Sequence, residues 1–378
     1  RKFGMDQSVL RRKNFISASQ MPYTSLAGEL YDTGDFDKVL DRAELEADIA
    51  GFATRKKQSA TNGKLRGLGL CFYIESILGS PQETTRIKFV DDGVMNLYVG
   101  TQSNGQGHET AYTQLVCEKT GWDPAKVNII QGDSDAIPVG GGNGGSRSVT
   151  MQGNSIYKTS DVMINALKSV ASDELEVASG DVVFNEGAFE IIGTDRRITL
   201  PQIVEKAREQ GLNDILDQSI EYDLPGRSYP NGAHYCEVEI DAQTGYTQVV
   251  KYTVVDDFGL LINPMLAEGQ VHGGVVQGIG QAITENTVYD ETGQLLTGSF
   301  MDYGMPRASD VPMMDFHAEL IPSTANEIGM KGCGEAGTVG ALAAVMNAVQ
   351  DAVWDRGIEH VDMPVTPLRM WTWLQGAQ

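Results

Sequence analysis

Two periods of apolar residues alternate along this chain, and their succession sets out its elements. Residues 35–57 place Phe36, Val39, Leu40, Ala43, Ile49 and Phe52 among charges at helical spacing. This predicts a helix ending in a solvated Arg55-Lys56-Lys57, followed by a polar linker over 58–63. Strand-like runs come next: 65–77 as one strand, then 85–90 and 94–100 as a hairpin turning at Asp91-Asp92-Gly93. A helix opening near Ala111 and ending near Gly121, a strand over 127–130 and a periodic segment reaching about Val170 complete this stretch. A hairpin around Asn185-Glu186-Gly187 leads to a helix over 201–210, with Thr199 or Leu200 ahead of Pro201 in the first turn and Gly211 at the end.

The pattern then restarts. Strands over 235–241 and 247–256 flank a turn at 242–245, and a helix-like run covers 269–284. A strand over 316–321 and a helix over 341–350 follow. The hairpin, glycine turn and helix of this part echo residues 85–120 and read as an old duplication whose copies keep little identity. The expected fold class is α+β, mixed sheet and helix in two domains: a helical and linker segment over 1–64, a first domain over 65–230 and a second over 231–378.

Composition narrows the function. At 378 residues the chain exceeds the usual size of one domain, in line with two cores. Its 51 acidic against 29 basic residues give a net charge of −22, which repels a phosphate backbone. No Lys/Arg stripe is interleaved with aromatics, so nucleic-acid binding is not expected. The apolar runs fall well short of a membrane span and no signal peptide heads the chain, so the expected location is cytoplasmic. Cys71, Cys117, Cys236 and Cys333 are scattered with no C-x-x-C, and the five histidines form no H-E-x-x-H pair. Neither an iron–sulfur centre nor a structural zinc is expected from this chain. Its first residue is Arg rather than Met, which fits either a fragment of a longer polypeptide or a processed product.

The candidate chemistry lies in three glycine-rich turns, each ahead of a helical pattern: 105–110, 144–153 and 331–340. Glycine lets the backbone come close to a ligand, and the first turn of a helix offers unpaired N–H groups to an anion. Three such turns suggest an extended ligand with more than one anionic group. In the second, Gly144 and Gly145 give close approach, Ser146 and Ser148 give hydroxyls and Arg147 a guanidinium, parts that suit a pyrophosphate; the plain alternative is a flexible surface loop. Glu335 is the odd residue of the third, since a loop built only to cradle phosphate gains nothing from a rival anion. It reads either as a chemical group beside a bound cofactor or as a glutamate in the first turn of a helix.

These turns, with the run 268–282 and the segments 3–15 and 364–367, resemble in order the molybdopterin-binding subunit of the molybdenum hydroxylases. That family includes xanthine dehydrogenases, aldehyde oxidoreductases and aerobic carbon monoxide dehydrogenases. The resemblance covers nearly the whole chain but only part of the family's subunit, whose N-terminal half has no counterpart here. It implies two molybdopterin-binding domains and a molybdopterin, expected as the cytosine dinucleotide, whose dithiolene holds the molybdenum so that the protein supplies no metal ligand. It also implies a hetero-oligomer, with iron–sulfur and FAD subunits and the N-terminal half of the molybdenum subunit as partners. The resemblance gives Gln106, Gly107, Gly144, Gly145, Ser146, Arg147, Ser148, Gln277, Lys331 and Gly332 to the cofactor, with Gln277 and Gln281 on one helix face. It gives Glu335 to catalysis, as the base that takes the proton from a metal-bound hydroxide attacking an electron-poor carbon. A free glutamate, with a pKa of about 4.3, is a weak base, and burial beside a neutral substrate would raise it toward working pH. The expected substrate is a small molecule. An aldehyde or N-heterocycle ranks ahead of carbon monoxide, because residues 334–340 look less like carbon monoxide dehydrogenases than the rest of the chain does.

Two other readings compete. Residues 332–337 match the G-x-G-x-x-G of a nicotinamide-dependent Rossmann dehydrogenase, but the expected strand does not lead directly into them and no β-α-β unit follows. A non-catalytic cofactor-binding scaffold subunit would account for the missing half of the site, though not for an intact Glu335 motif.

Overall fold

The computed structural model describes residues 3–376. Helix α1 (Gln7–Arg12) is capped by Asp6, whose carboxylate accepts the N–H groups of Ser8 and Val9. Short strands β1 (Tyr23–Thr24) and β2 (Leu30–Tyr31) pair ahead of α2 (Phe36–Glu46) and α3 (Phe52–Thr61). The helix expected over 35–57 is therefore two helices, parted at Asp48, which takes a left-handed conformation and accepts the Gly51 N–H. Residues 58–61, expected as linker, are helical. Arg55 is not solvated either: it meets Glu237 at 2.6 Å, and Arg66 meets the same acid at 2.7 Å. A carboxylate whose side chain is only 3% exposed needs that compensation.

Two four-stranded sheets follow, built to one plan. After β3 (Lys64–Ile74), the strands β4 (Gln82–Val90) and β5 (Val94–Val99) form an antiparallel hairpin. Helix α4 (His108–Thr120) then crosses to β6 (Val127–Gln131), which lies parallel to β5, and the long α5 (Ser148–Leu175) comes next. A small sheet of β7 (Val182–Asn185), β8 (Ala188–Ile191) and β9 (Arg197–Thr199) leads to α6 (Leu200–Glu209), where Thr199 and Gln202 form a capping box with Pro201 in the first turn. Strand β10 (Asp217–Asp223) closes the sheet in the order β10-β4-β5-β6. The plan repeats with the hairpin β11 (Asn231–Asp241) and β12 (Thr247–Asp257), helix α7 (Pro264–Ile279), strand β13 (Asp315–Ala318) parallel to β12, and helix α8 (Ala336–Val353). Helix α9 (Pro367–Gly376) ends the described chain.

Strand β3, which the sequence places at the start of the first domain, pairs along its length with β11, giving the order β13-β12-β11-β3. Both faces of this sheet are covered. Leu70, Tyr235 and Val255 pack under α2 with Val39 and Leu40, whereas Cys71, Cys236 and Val254 meet α8 through Ala344 and Val345. Gly67 and Gly69 let α8 lie directly on β3, because a Cβ at either would stand 2.0 Å from a carbonyl oxygen of α8.

The glycine-rich runs are shorter as turns than the sequence suggests. Helix α8 starts at Ala336, not near Ala341, and Gly337 and Gly340 lie inside it, packed against Val271 and His234. Gly153 likewise lies inside α5, against Met330 and Leu115. Helix α7 opens at Pro264 under an Asn263 cap, ahead of the expected Gly269.

Candidate active site

The N-termini of α4, α5, α7 and α8 converge on one cavity of about 290 Å³ between the two repeats. The turns before α4, α5 and α8 are the three singled out in the sequence. No side chain caps any of those three helices, so their first-turn N–H groups are left for another acceptor, while α7 is capped by Asn263. Gln106, Gly144, Gly145, Ser146, Ser148, Lys331, Gly332 and Glu335 all line the cavity. Gly107, at φ +81°, supplies the left-handed N-cap of α4, and a Cβ there would stand 2.6 Å from Leu266. Ser148 donates to Asn143 at 3.0 Å.

The turns before α5 and α8 touch. A Cβ on Gly332 would lie 2.2 Å from the Ser146 carbonyl oxygen. The Ser146 hydroxyl accepts the Glu335 backbone N–H at 3.0 Å and stands 2.9 Å from the Glu335 carboxylate. It also forms a short hydrogen bond with Glu75, just beyond the end of β3. Ser146 itself has φ +54°, a strained conformation for a residue with a side chain. Glu335 is exposed at the cavity, so this chain does not supply the burial expected for it.

Three of the expected cofactor side chains are otherwise engaged. Arg147 is 1% exposed: its guanidinium pairs with Glu83 at 2.5 Å and donates to the carbonyls of Ser80, Gln82 and Gly142. Four of its five N–H groups are thereby engaged, and it does not line the cavity. Lys331 presents backbone to the cavity, but its ammonium is buried against Asp257 at 2.5 Å. Burial pushes the Asp257 carboxyl up, and the lysine opposes that shift. Gln277 lies outside the cavity lining, where its amide oxygen accepts the Thr338 hydroxyl at 3.1 Å and joins α7 to α8.

Sequence reasoning missed two groups. Glu75 is an isolated acid with no motif around it. His108 sits inside the first glycine turn, next to the expected contacts Gln106 and Gly107. It is instead buried at the cavity wall, with Nδ1 lacking a hydrogen-bond partner, and burial pushes its pKa down to about 4, leaving a neutral imidazole.

The family model described as "Molybdopterin cofactor-binding domain" matches residues 42–312. The chain belongs to that family, within the molybdenum hydroxylases. It is 33% identical to the carbon monoxide dehydrogenase large chain of Hydrogenophaga pseudoflava, over 98% of this chain and 48% of the relative. Among solved structures, a reconstituted carbon monoxide dehydrogenase from Oligotropha carboxidovorans superimposes with a TM-score of 0.93 at 30% identity, covering 100% of this chain and 49% of the other. Quinoline 2-oxidoreductase from Pseudomonas putida 86 gives 0.92 at 29% identity, covering 99% and 50%. The chain thus spans about half the length of the relatives it matches.

For a molybdopterin-binding chain the cavity has suitable parts. Uncapped helix N-termini and the approach of bare glycine backbone at Gly144 suit an anionic group, and the unpartnered Nδ1 of His108 leaves a polar atom to be satisfied. The Rossmann reading fails on topology. Among the described residues no strand follows α8, and β13 ends at Ala318, well short of Gly332.

Proposed function

We propose that this chain forms the C-terminal, cofactor-gripping part of a molybdenum hydroxylase large subunit that oxidises an aldehyde, an N-heterocycle or carbon monoxide with oxygen derived from water. The observation that carries the proposal is a carboxylate, Glu335, held at the N-terminus of α8 by Ser146 and exposed in a cavity bounded by three uncapped helix ends. Glu335 acts as general base. Groups holding the cofactor, as molybdopterin cytosine dinucleotide, are the backbone around Gln106, Gly107, Gly144, Gly145, Ser146, Ser148 and Gly332, with the Gln106 amide. Arg147 and Lys331 act at one remove, by fixing the turns from behind. When bound, the molybdopterin supplies the metal that takes up the two electrons of the oxidation.

Those electrons leave through iron–sulfur and FAD subunits, since the scattered cysteines of this chain offer no cluster spacing. The other wall of the site comes from the N-terminal half of the subunit. No helix among the described residues is long and apolar enough to cross a membrane, and the cytoplasm is the proposed location. The deciding experiment is co-expression of this chain with a polypeptide matching the N-terminal half of its relatives. Molybdenum and the released pterin nucleotide are then measured, and dye reduction is followed with each of the three substrate classes. Bound molybdenum and turnover of one class are expected; an assembled pair without molybdenum would refute the proposal.

A further inference from the structure

Three contacts meet on the Ser146 hydroxyl: it accepts the Glu335 N–H, lies 2.9 Å from the Glu335 carboxylate and forms a short hydrogen bond with Glu75. A serine hydroxyl has one proton and two lone pairs. The amide occupies one lone pair and the proton can serve only one carboxylate. The other carboxyl can bond only by donating, as an acid. The arrangement is therefore satisfied when the two glutamates carry one proton between them, and two forms meet that condition: Glu75 acid with Glu335 carboxylate, or the reverse.

From this geometry, and on the reading of Glu335 as the base, we propose that Glu75, Ser146 and Glu335 form a proton relay, in which a proton accepted by Glu335 at the cavity passes through the serine hydroxyl to Glu75. In the step, the O–H bond of the Glu335 acid breaks as that proton bonds to Ser146 Oγ. The original Ser146 O–H bond breaks and its proton bonds to Glu75 Oε1. Glu335 returns to carboxylate, Glu75 becomes the acid, and no electrons change hands. A solvent water then takes the proton from Glu75, which restores the starting form.

The surroundings favour Glu75 as the resting place of the proton. Its second oxygen is buried and has no hydrogen-bond partner, so nothing there stabilises a negative charge. Burial pushes its carboxyl up to about 7, against the pull of the Ser146 bond, and the charges of Glu335 and Asp256 push the same way as burial. The titratable groups facing it are Asp256 from β12, Glu335 and Cys333 from the turn before α8, and Tyr73 from β3 just ahead of it, all acids. The left-handed backbone of Ser146, seated against the bare backbone of Gly332, holds the bridging hydroxyl in place. Glu75 does not line the cavity, so it is a positioning and proton-holding residue rather than a catalytic one.

Infrared difference spectra of the chain, titrated with acid, read the relay without any cofactor. Wild type should show a carboxylic-acid band titrating near pH 7; Glu75→Gln should abolish it, and Glu335→Gln should keep it but move its midpoint down by about 1 pH unit, the scale of coupled carboxyls. In the assembled enzyme, the fall in turnover below about pH 7 should vanish in both Glu75→Gln and Ser146→Ala. A band near pH 7 that survives Glu75→Gln, or a midpoint unmoved by Glu335→Gln, would overturn the relay while leaving a turnover defect of Glu335→Gln to support the base. Wild-type turnover in Glu335→Gln would overturn both.

Discussion

Arg147 and Glu83 stand 2.5 Å apart with each side chain 1% exposed, and the pair fastens the turn before α5 to β4. Removing the guanidinium would leave a buried carboxylate without its counter-charge, which costs about 3–5 kcal/mol. Arg147→Met should therefore lower the urea midpoint of the chain strongly, and the double change Arg147→Met with Glu83→Gln should recover much of the loss. A direct phosphate contact would give the opposite result, with stability kept and cofactor affinity lost.

Glu335→Gln is expected to keep fold and cofactor in the assembled enzyme but to lose at least about 10²-fold in the rate of metal reduction by substrate. Gln fills the same space beside Ser146 and cannot accept the proton. Rapid-mixing reduction, with molybdenum measured on the same sample, checks this; a glutamate that only decorates a helix start would cost about 0.3–1 kcal/mol of stability and leave the rate intact.

Gly332→Ala should disturb the site more than its size suggests, because the added methyl would lie 2.2 Å from the Ser146 carbonyl oxygen. Overpacking of this kind costs about 1–3 kcal/mol. The displaced Ser146 would also loosen its hold on Glu335, so thermal midpoint and turnover should fall together. Gly144→Ala, with no atom near the added methyl but a φ of +126°, separates backbone strain from steric contact.

The part of the stability that Glu75 contributes should fall with rising pH between about 4.5 and 7, whereas His108, pushed down to about 4, gives the opposite slope as pH rises from about 4 to 6.5. For Glu75, the folded pKa of about 7 exceeds the ordinary value of 4.5, so the folded state holds more protons at this group in that window, and the contribution is fully present below the window and lost across it. The contribution is on the order of 3 kcal/mol at most. Urea unfolding from pH 4.5 to 7.5 should show the stability of wild type falling relative to that of Glu75→Gln, a comparison in which the His108 slope cancels.

Much of the architecture was legible because it depends on local pattern. The hairpins, the helix start marked by Pro201 and the three glycine turns each announce themselves within a dozen residues. Glu335 was legible for the same reason, as an acid in an otherwise bare turn. Arg147 and Lys331 were misread because a cation in a glycine turn looks the same in sequence whether it faces a ligand or a buried acid, and their partners, Glu83 and Asp257, lie 64 and 74 residues away. Glu75 left no trace at all, since its meaning arises only where β3 ends beside two turns from distant parts of the chain. The glycines of α8 were read as turn residues because sequence does not distinguish a glycine that bends the backbone from one that lets a neighbour approach.

The pairing of β3 with β11 has a consequence for synthesis. Lys64 meets Asp241, 177 residues further on, so at ribosomal speeds β3 leaves the tunnel roughly 10–35 s before the strand that will complete it. Through that interval it is an unpaired edge rich in apolar side chains, the kind that captures other nascent chains. The native neighbours already made are α3, which lies against β3, and α1, whose Gln7 accepts the Leu70 N–H and whose Arg11 donates to the Leu70 carbonyl. In that role the N-terminal helices act as a built-in holdase, and deleting them should turn a folding chain into an aggregating one during translation, whatever their contribution to the finished molecule.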